Sequence, residues 1–487
     1  DMKLEFRPIN IDGSLKKYRQ LDLEDFLSLN DEIHSILCIN CPEEIILSLL
    51  KISFEKDIGL SILKTNNLIS EFKNNILKFK FKFLLLPQFE LNSLGFSKYK
   101  IIYKLFINEI EYDFIKLIEI GSELEFKKSI LLFTSGSSGV RKIVNISHKA
   151  IINCSKFMAK QMSMTPLDKE VIYAQLDHAF CLGRILSCGL VSNPFCFLNS
   201  SVMLKPSSIE KIMKLKKVSG LSTMPSVLFS ILSIEKYSLD FSNKLRYIQM
   251  GGMFLPADRK QFIIDRLPNT KIFLNYGMTE YMRATFYDIS KYQHKLNTEG
   301  YPADDTEIKI SNYENLDNTH DFKDEKIGEI LIKGAHLCEG YLNKKEWDKR
   351  ITKEGFFKTG DLGLIDNDGF LIHKGRKDKT FNFQGKLFNS DNLADELIKK
   401  YSYLKDKIII FPIRKENSLK DYEVFVCLIK EDFSTINREE EITLKKFYRS
   451  LGLTVSIKYF KFNFPRTQNG KISYGEIKKV LLDINKG

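Results

Sequence analysis

The sequence predicts an α/β fold, extended toward the C-terminus by a smaller α+β unit. Three observations carry that expectation. Short β-rich runs alternate with helical stretches from about 25 to 360, the pattern of sheets covered by helices. Beyond Gly375-Arg376-Lys377-Asp378 the elements shorten and change order, which marks a junction near 376–379. With 43% hydrophobic and 28% charged residues, a chain of 487 residues can bury a large core without disulfide or metal staples. The expected division is a large domain over 1–376 and a small one over 377–487.

In chain order, the first readable element is the apolar run around Cys38, expected as a buried strand. Cys38 and Cys41 form one CxxC, but no second CxxC or His pair accompanies it. A structural role therefore outweighs a redox or zinc site. Lys78-Phe79-Lys80-Phe81-Lys82-Phe83 alternates with period two, which reads as a half-buried strand and not as a membrane-binding helix. Strands are expected at 130–133, 171–174 and 271–275, and helices at 149–160, 207–216 and 258–266. In the small unit, helices are expected at 392–400 and 441–450, and strands at 407–412, 423–429 and 456–461.

Composition removes several classes. Wholesale disorder, collagen-like repeats and a small disulfide scaffold are all excluded. No window approaches about 18 uninterrupted apolar residues, so no membrane span is expected. The first residues, Asp1-Met2-Lys3-Leu4-Glu5-Phe6, lack the order of a secretory signal. Eight sparse cysteines suit a reducing, cytoplasmic setting. The net charge of 74 − 62 = +12 raises nucleic acid as a partner. The bases are spread among acids, however, and no nucleic-acid motif appears.

The sharpest local feature is Leu131-Leu132-Phe133-Thr134-Ser135-Gly136-Ser137-Ser138-Gly139-Val140-Arg141-Lys142. An apolar strand runs into two glycines and four hydroxyl residues, then two cations. Glycines let backbone N–H groups approach an anion, and hydroxyls and Lys142 add donors, so a polyphosphate suits this loop. A Ser/Gly-rich surface turn reads equally well from the segment alone. The spacing is not that of a kinase-type P-loop.

Four further segments follow in order: Asn275-Tyr276-Gly277-Met278-Thr279-Glu280; Gly328-Glu329-Ile330 running to Gly340-Tyr341; Phe357-Lys358-Thr359-Gly360-Asp361-Leu362-Gly363 with Gly375-Arg376-Lys377-Asp378; and Pro465-Arg466-Thr467-Gln468-Asn469-Gly470-Lys471-Ile472. In this order they resemble the adenylate-forming superfamily of acyl- and aryl-CoA synthetases, firefly-type luciferases and nonribosomal adenylation domains. The resemblance runs from about Ile36 to Ile477. It implies a large N-terminal domain of two helix-covered sheets plus a distorted β-barrel, and a small mobile α+β C-terminal domain. It further implies ATP- and Mg²⁺-dependent activation of a carboxylate as an acyl adenylate, with pyrophosphate released, then transfer to a thiol.

Residue roles follow from the same resemblance. Thr134, Ser135, Gly136, Ser137, Ser138, Gly139 and Lys142 hold the β- and γ-phosphates. Tyr276 stacks on adenine, Thr279 bonds the α-phosphate and Glu280 holds Mg²⁺. Asp361 accepts the ribose hydroxyls, Arg376 contacts ribose or phosphates, and Lys471 bridges the acyl carboxylate and the α-phosphate. Asp378 sits at the hinge position. The sequence departs from the family at Arg141 and Ile143, where Pro and Gly are usual. It departs again at Asn382, where Lys is frequent, and at Asn392-Leu393-Ala394-Asp395-Glu396.

Gln175-Leu176-Asp177-His178-Ala179-Phe180-Cys181-Leu182-Gly183 resembles the family's substrate-pocket segment, with His178 as in acyl- and aryl-CoA ligases. Amino-acid-activating members usually carry Asp where Ala179 stands, and an ammonium buried without a counter-charge is costly. That disfavours an α-amino acid, although Asp177 is two positions away. Gly251, Gly252, Met253, Tyr281 and Arg283 are further pocket candidates. Arg283 is either a solvated cation or a counter-charge for a second substrate carboxylate. The thiol is expected in trans, from CoA or the phosphopantetheine of a carrier protein, since only a short tail follows Lys471. Two alternatives stand beside this ligase: a carrier-only or amine-directed acyl-adenylate ligase, and a catalytically reduced adenylate-binding module.

Overall fold

A computed structural model describes residues 4–8, 23–28, 30, 32–64, 73, 76–120, 126–134, 142–199, 218–233, 245–252, 254–311, 327–383, 386–401, 404, 407–414, 422–430, 438–451, 453–461, 464–465 and 474–484. By internal packing the chain divides into two compact units. The first comprises Asp1–Thr134, Arg141–Glu307 and Ile332–Gly355; the second comprises Ser135–Val140, Ile308–Leu331 and Phe356–Gly487. Packing thus groups 356–376 with the residues that follow 377.

The first unit holds two large sheets. In one, the spatial order is Arg7–Pro8, Pro194–Asn199, Glu170–Ala174, Gly220–Thr223, Tyr247–Met250, Lys271–Leu274 and Tyr287–Asp288. All its pairings are parallel except the last. The other runs Gly340–Tyr341, Lys142–Ser147, Ser129–Thr134, Gly59–Leu63, Ser35–Ile39, Phe83–Pro87, Ile110–Leu117 and Tyr99–Ile107. Its centre is parallel and its flanks antiparallel. Parallel strands covered on both faces read as continuous apolar runs, and Ser35–Ile39 is buried at every position.

One core joins the two sheets. Cys38, Ile62, Leu132 and Val144 cluster with Ile172, Phe195 and Phe273 through the helices His148–Gln161 and Ala179–Val191. The first of these helices starts where Ser147 Oγ accepts a hydrogen bond from the Ala150 N–H at 3.3 Å. Its residues Ile151, Cys154 and Met158 recur at helical spacing and are buried. All eight cysteines are buried free thiols, and burial pushes the Cys41 thiol well up, as the structural reading expects.

The second unit contains a hairpin, Thr380–Phe383 with Lys386–Asn389, and a sheet of Ile408–Arg414, Tyr422–Lys430 and Val455–Lys461. Ser390–Lys400, Arg438–Ser450 and Tyr474–Ile484 are its helices. Leu397, Val426, Leu444 and Tyr448 form one core cluster, and Phe425, Phe460 and Leu481 another. A four-stranded sheet of Thr306–Ile310, Gly328–Gly334, Phe357–Ile365 and Leu371–Arg376 precedes them in the chain. The α/β fold class is as expected. Among the described residues no helix is long and apolar enough to cross a membrane.

The Lys78–Phe83 expectation fails. Residues 76–78 end a helix and Lys80 takes φ +54°, with its N–H bonded to the Leu77 carbonyl; the strand begins only at Phe83. Phe81 and Phe83 are buried, so the alternation records a helix end packing its aromatics before the strand starts. The helix expected at 207–216 lies outside the described residues.

His148 opens its helix with a buried ring, stacked on Phe54 at 4.0 Å and with Nε2 3.0 Å from Ser53 Oγ. Burial lowers its pKa from 6.5 to about 4. Because the folded value is depressed, protonation favours the unfolded chain. The associated stability is complete above pH 6.5 and is lost as pH falls toward 4. Urea unfolding at pH 7 and pH 4.5 is expected to show a loss, on the order of 2 kcal/mol, that His148→Phe lacks. Parallel pH dependence in both proteins would remove this assignment.

Candidate functional site

Ligands of open α/β sheets gather at the carboxyl ends of the parallel strands. Three strands of the seven-stranded sheet end in candidate segments: Glu170–Ala174 leads to His178, Tyr247–Met250 to Gly251 and Gly252, and Lys271–Leu274 to Asn275 and Tyr276. Gln249 Nε2 donates to Asn275 Oδ1 at 2.5 Å. A Cβ on Gly251 would stand 2.2 Å from that same oxygen, so the second strand end needs glycine there.

The segment after Asn275 closes on itself. The Ala284 and Thr285 N–H groups donate to the Tyr276 carbonyl at 2.8 and 3.1 Å, and the Tyr276 N–H donates to Thr285 Oγ1. Met278 and Tyr281 exchange backbone hydrogen bonds across the tip. Tyr276, Thr279 and Glu280 are half-buried on this loop. Tyr281 is wholly buried and its hydroxyl donates to Thr306 Oγ1 at 2.9 Å, so it is a core residue and not a pocket lining.

Thr134 and Lys142 are cross-strand partners at the two ends of the phosphate-loop segment. The Lys142 ammonium lies 4.9 Å from the centroid of the Tyr341 ring. The Tyr341 hydroxyl donates to Glu280 Oε1 at 2.5 Å. Lys142 and Glu280, far apart in sequence, therefore converge on one aromatic side chain. The other Glu280 oxygen accepts no hydrogen bond from a described residue, which suits a hard cation that arrives with a polyphosphate. No cluster of three or more His, Cys, Asp or Glu residues exists among the described residues to hold a metal independently.

Arg283 is not a solvated cation. It is 2% exposed and takes φ +57°. Its guanidinium donates to the Ala179 carbonyl at 3.1 Å and the Phe180 carbonyl at 2.9 Å, and lies over the Phe180 ring at 5.1 Å. Gly183 leaves it room, since a Cβ there would approach the guanidinium to 2.7 Å. Burial lowers its pKa to about 10, and Nε has no partner among the described residues. Arg283, Ala179 and the half-buried His178 thus gather at one helix start.

The sequence reading noted Asp177 beside the expected acid position, Ala179, but gave it no place in the pocket. Asp177 is buried, with Oδ2 accepting from the Lys64 N–H at 3.4 Å and Oδ1 without a partner among the described residues. Buried polar atoms are nearly always hydrogen-bonded, so this oxygen points to a group that the described residues do not supply. The signal was present in the sequence as an acid just before the helix.

Within the second unit, Asp361 and Arg376 are opposite each other on antiparallel strands. Arg376 Nη1 donates to Asp361 Oδ1 at 2.9 Å. Glu329, given no role by the sequence reading, accepts from the Gly360 N–H at 3.1 Å and from the Lys377 ammonium at 2.9 Å. Lys379 pairs with Asp391 at 2.7 Å. The short turn Lys377–Lys379, which contains Asp378, is therefore tied on both sides. Ser135, Gly136, Ser137, Ser138, Gly139, Met253 and Lys471 lie outside the described residues.

A family model described as AMP-binding enzyme matches residues 127–342. The D-alanine--D-alanyl carrier protein ligase of Streptococcus agalactiae serotype V is 24% identical over 387 residues, covering 73% of this chain and 71% of that protein. The 2-succinylbenzoate--CoA ligase of Oceanobacillus iheyensis is 26% identical over 372 residues, covering 75% and 73%. Among solved structures, the O-succinylbenzoate coenzyme A synthetase of Bacillus subtilis in complex with ATP and magnesium ion aligns with a TM-score of 0.75. That alignment has 17% identity and covers 98% of this chain and 96% of that one.

Proposed function

The chain belongs to the adenylate-forming, AMP-binding superfamily, and from that premise we propose how its residues divide the work of an AMP-forming carboxylate–thiol ligase. The enzyme activates a carboxylic acid with ATP as an acyl adenylate, releases pyrophosphate and passes the acyl group to the thiol of CoA or of a separate carrier protein. The observation that carries this reading is the meeting of Lys142 and Glu280 on Tyr341, at the edge of the phosphate-loop segment. A fixed cation and a fixed carboxylate in one place are what a metal-bound polyphosphate requires.

Carboxylate and ATP are both anionic, so the chain must position them in line and hold donors where charge develops. Thr134 through Gly139 and Lys142 bind the β- and γ-phosphates; Thr279 donates to the α-phosphate. Glu280 would hold Mg²⁺, which when bound would supply neutralising charge on the phosphates. Tyr276 offers its ring to adenine. The buried Asp361 accepts from the ribose hydroxyls and is oriented by Arg376. Lys471 balances charge between the acyl carboxylate and the α-phosphate. His178, Ala179, Gly251, Gly252, Met253 and Arg283 shape the acid pocket.

The functional boundary is placed at 376/377, with Asp378 as the pivot between the two half-reactions. Asp378→Pro is expected to spare ATP–pyrophosphate exchange while slowing thioester formation at least about tenfold, since Pro fixes φ at the turn. Unchanged thioester turnover would exclude the pivot.

A second reading, an α-amino acid as substrate, is favoured by Asp177. Its Oδ1, without a partner among the described residues, offers the counter-charge that Ala179 cannot. ATP–pyrophosphate exchange over a panel of amino acids and plain carboxylic acids separates the two. If amino acids are used, Asp177→Asn should lower their kcat/KM by about 100-fold or more. Exchange driven only by acids without an ammonium, and indifferent to Asp177→Asn, would leave the first reading. No exchange with any acid, alongside tight ATP binding, would favour a regulatory module.

A further inference from the structure

Tyr341 has no assigned role in either half-reaction, yet it touches both residues on which the proposed nucleotide site depends. The residue is 7% exposed. One face receives the Lys142 ammonium at 4.9 Å, and its hydroxyl donates to Glu280 Oε1. The indole of Trp347, the only tryptophan of the chain, packs edge-on at 5.3 Å.

The backbone fixes the ring as firmly. Tyr341 pairs with Val144 and Gly340 with Asn145, on the strand that Lys142 begins. The Leu342 N–H donates to the Ile143 carbonyl at 3.0 Å, and the Cys338 N–H to the Glu280 carbonyl at 2.9 Å. Gly340 takes φ +135°, and a Cβ there would stand 3.1 Å from the Trp347 indole. Glycine at 340 therefore lets Tyr341 and Trp347 close together.

We propose that Tyr341 is a positioning residue, whose hydroxyl holds Glu280 in one rotamer for the divalent cation that accompanies ATP and whose ring holds Lys142 for the polyphosphate. This rests on the reading of Glu280 and Lys142 given above. A hydrogen bond to a charged carboxylate is strong enough to select a rotamer, and outer-shell donors of this kind matter to metal affinity. The ring contributes separately, through its attraction for the ammonium. The two contributions can be parted by one atom, because Tyr341→Phe removes the hydroxyl and keeps the face.

The test is equilibrium binding to the full chain, with Mn²⁺ and ATP as probes. Free Mn²⁺ is read by electron paramagnetic resonance, and metal-free ATP binding by calorimetry in EDTA. Tyr341→Phe is expected to weaken Mn²⁺ binding in the presence of ATP by about tenfold or more, with metal-free ATP affinity within about twofold of the parent. Tyr341→Leu is expected to weaken metal-free ATP binding as well. In a double-mutant cycle with Glu280→Gln, the Mn²⁺ losses should be strongly non-additive. Equal Mn²⁺ affinity in Tyr341→Phe and the parent, or additive losses in the cycle, overturns the proposal. Failure of the parent chain to bind Mn²⁺ and ATP together overturns the nucleotide-site reading itself. Should Tyr341→Leu not fold, Tyr341→Phe and the cycle decide alone.

Discussion

Replacing Lys471 by Ala is expected to lower ATP–pyrophosphate exchange by about 100- to 1,000-fold, the usual cost of losing one donor aimed at developing charge. The carboxylate attacks the α-phosphate while pyrophosphate departs, and negative charge accumulates between two groups that already repel. An ammonium placed there gains more in that arrangement than in the ground state, so its removal falls on kcat rather than on KM. Thioester formation from a supplied acyl adenylate has no such requirement and should change by less than about threefold. Equal loss of both half-reactions would take Lys471 out of its role.

The second large effect is on stability. Glu170 and Arg184 are fully buried and bonded twice, Nε to Oε1 at 3.1 Å and Nη2 to Oε2 at 2.7 Å. Ser222 Oγ and the Tyr247 hydroxyl donate to the same carboxylate at 2.7 and 2.9 Å. The guanidinium also touches the sulfurs of Met162 and Met164 at 3.3 Å. Glu170→Ala leaves Arg184 charged in an apolar surrounding and orphans two hydroxyls. The expected cost is about 3–5 kcal/mol, the range for breaking a buried pair on one side. Urea unfolding checks it, and a loss below about 1 kcal/mol would show that the network is dispensable. Its members start two of the strands that lead to the proposed site. Glu170 begins the strand that leads to Asp177 and His178, and Tyr247 begins the one that leads to Gly251.

These two cases differ in how readable they were. Lys471 is proposed from the sequence alone, where a Gly turn bearing Lys closes an ordered series of segments. The parallel strands are legible because burial on both faces makes them continuous apolar runs, as at Glu170–Ala174 and Lys271–Leu274. The Glu170–Arg184 pair was silent, since no local pattern distinguishes a buried ion pair from two solvated charges. Arg283 was ambiguous for the same reason. Its burial depends on Gly183 and on two carbonyls more than a hundred residues earlier.

Register information is lost in the same way. The pairing of Gly340–Tyr341 with the strand Lys142–Ser147 joins segments nearly two hundred residues apart. Nothing in Gly340-Tyr341 alone foretells that its phenol meets Glu280. Lys78 to Phe83 misled for a different cause. Six residues of alternation are too few to separate a strand from a helix end whose aromatics pack inward.

Everything above rests on this chain joining a carboxylate to the α-phosphate of ATP. Mass spectrometry reads this from the products of the 487-residue chain incubated with ATP, Mg²⁺ and a panel of carboxylic and amino acids. The reactions are run with and without CoA or a phosphopantetheinylated carrier protein. The expected result is an acyl-AMP of one acid class and AMP with pyrophosphate as co-products, followed by a thioester when the matching thiol is present. Absence of any acyl-AMP across the panel, or ATP cleaved to ADP and phosphate instead, would contradict it.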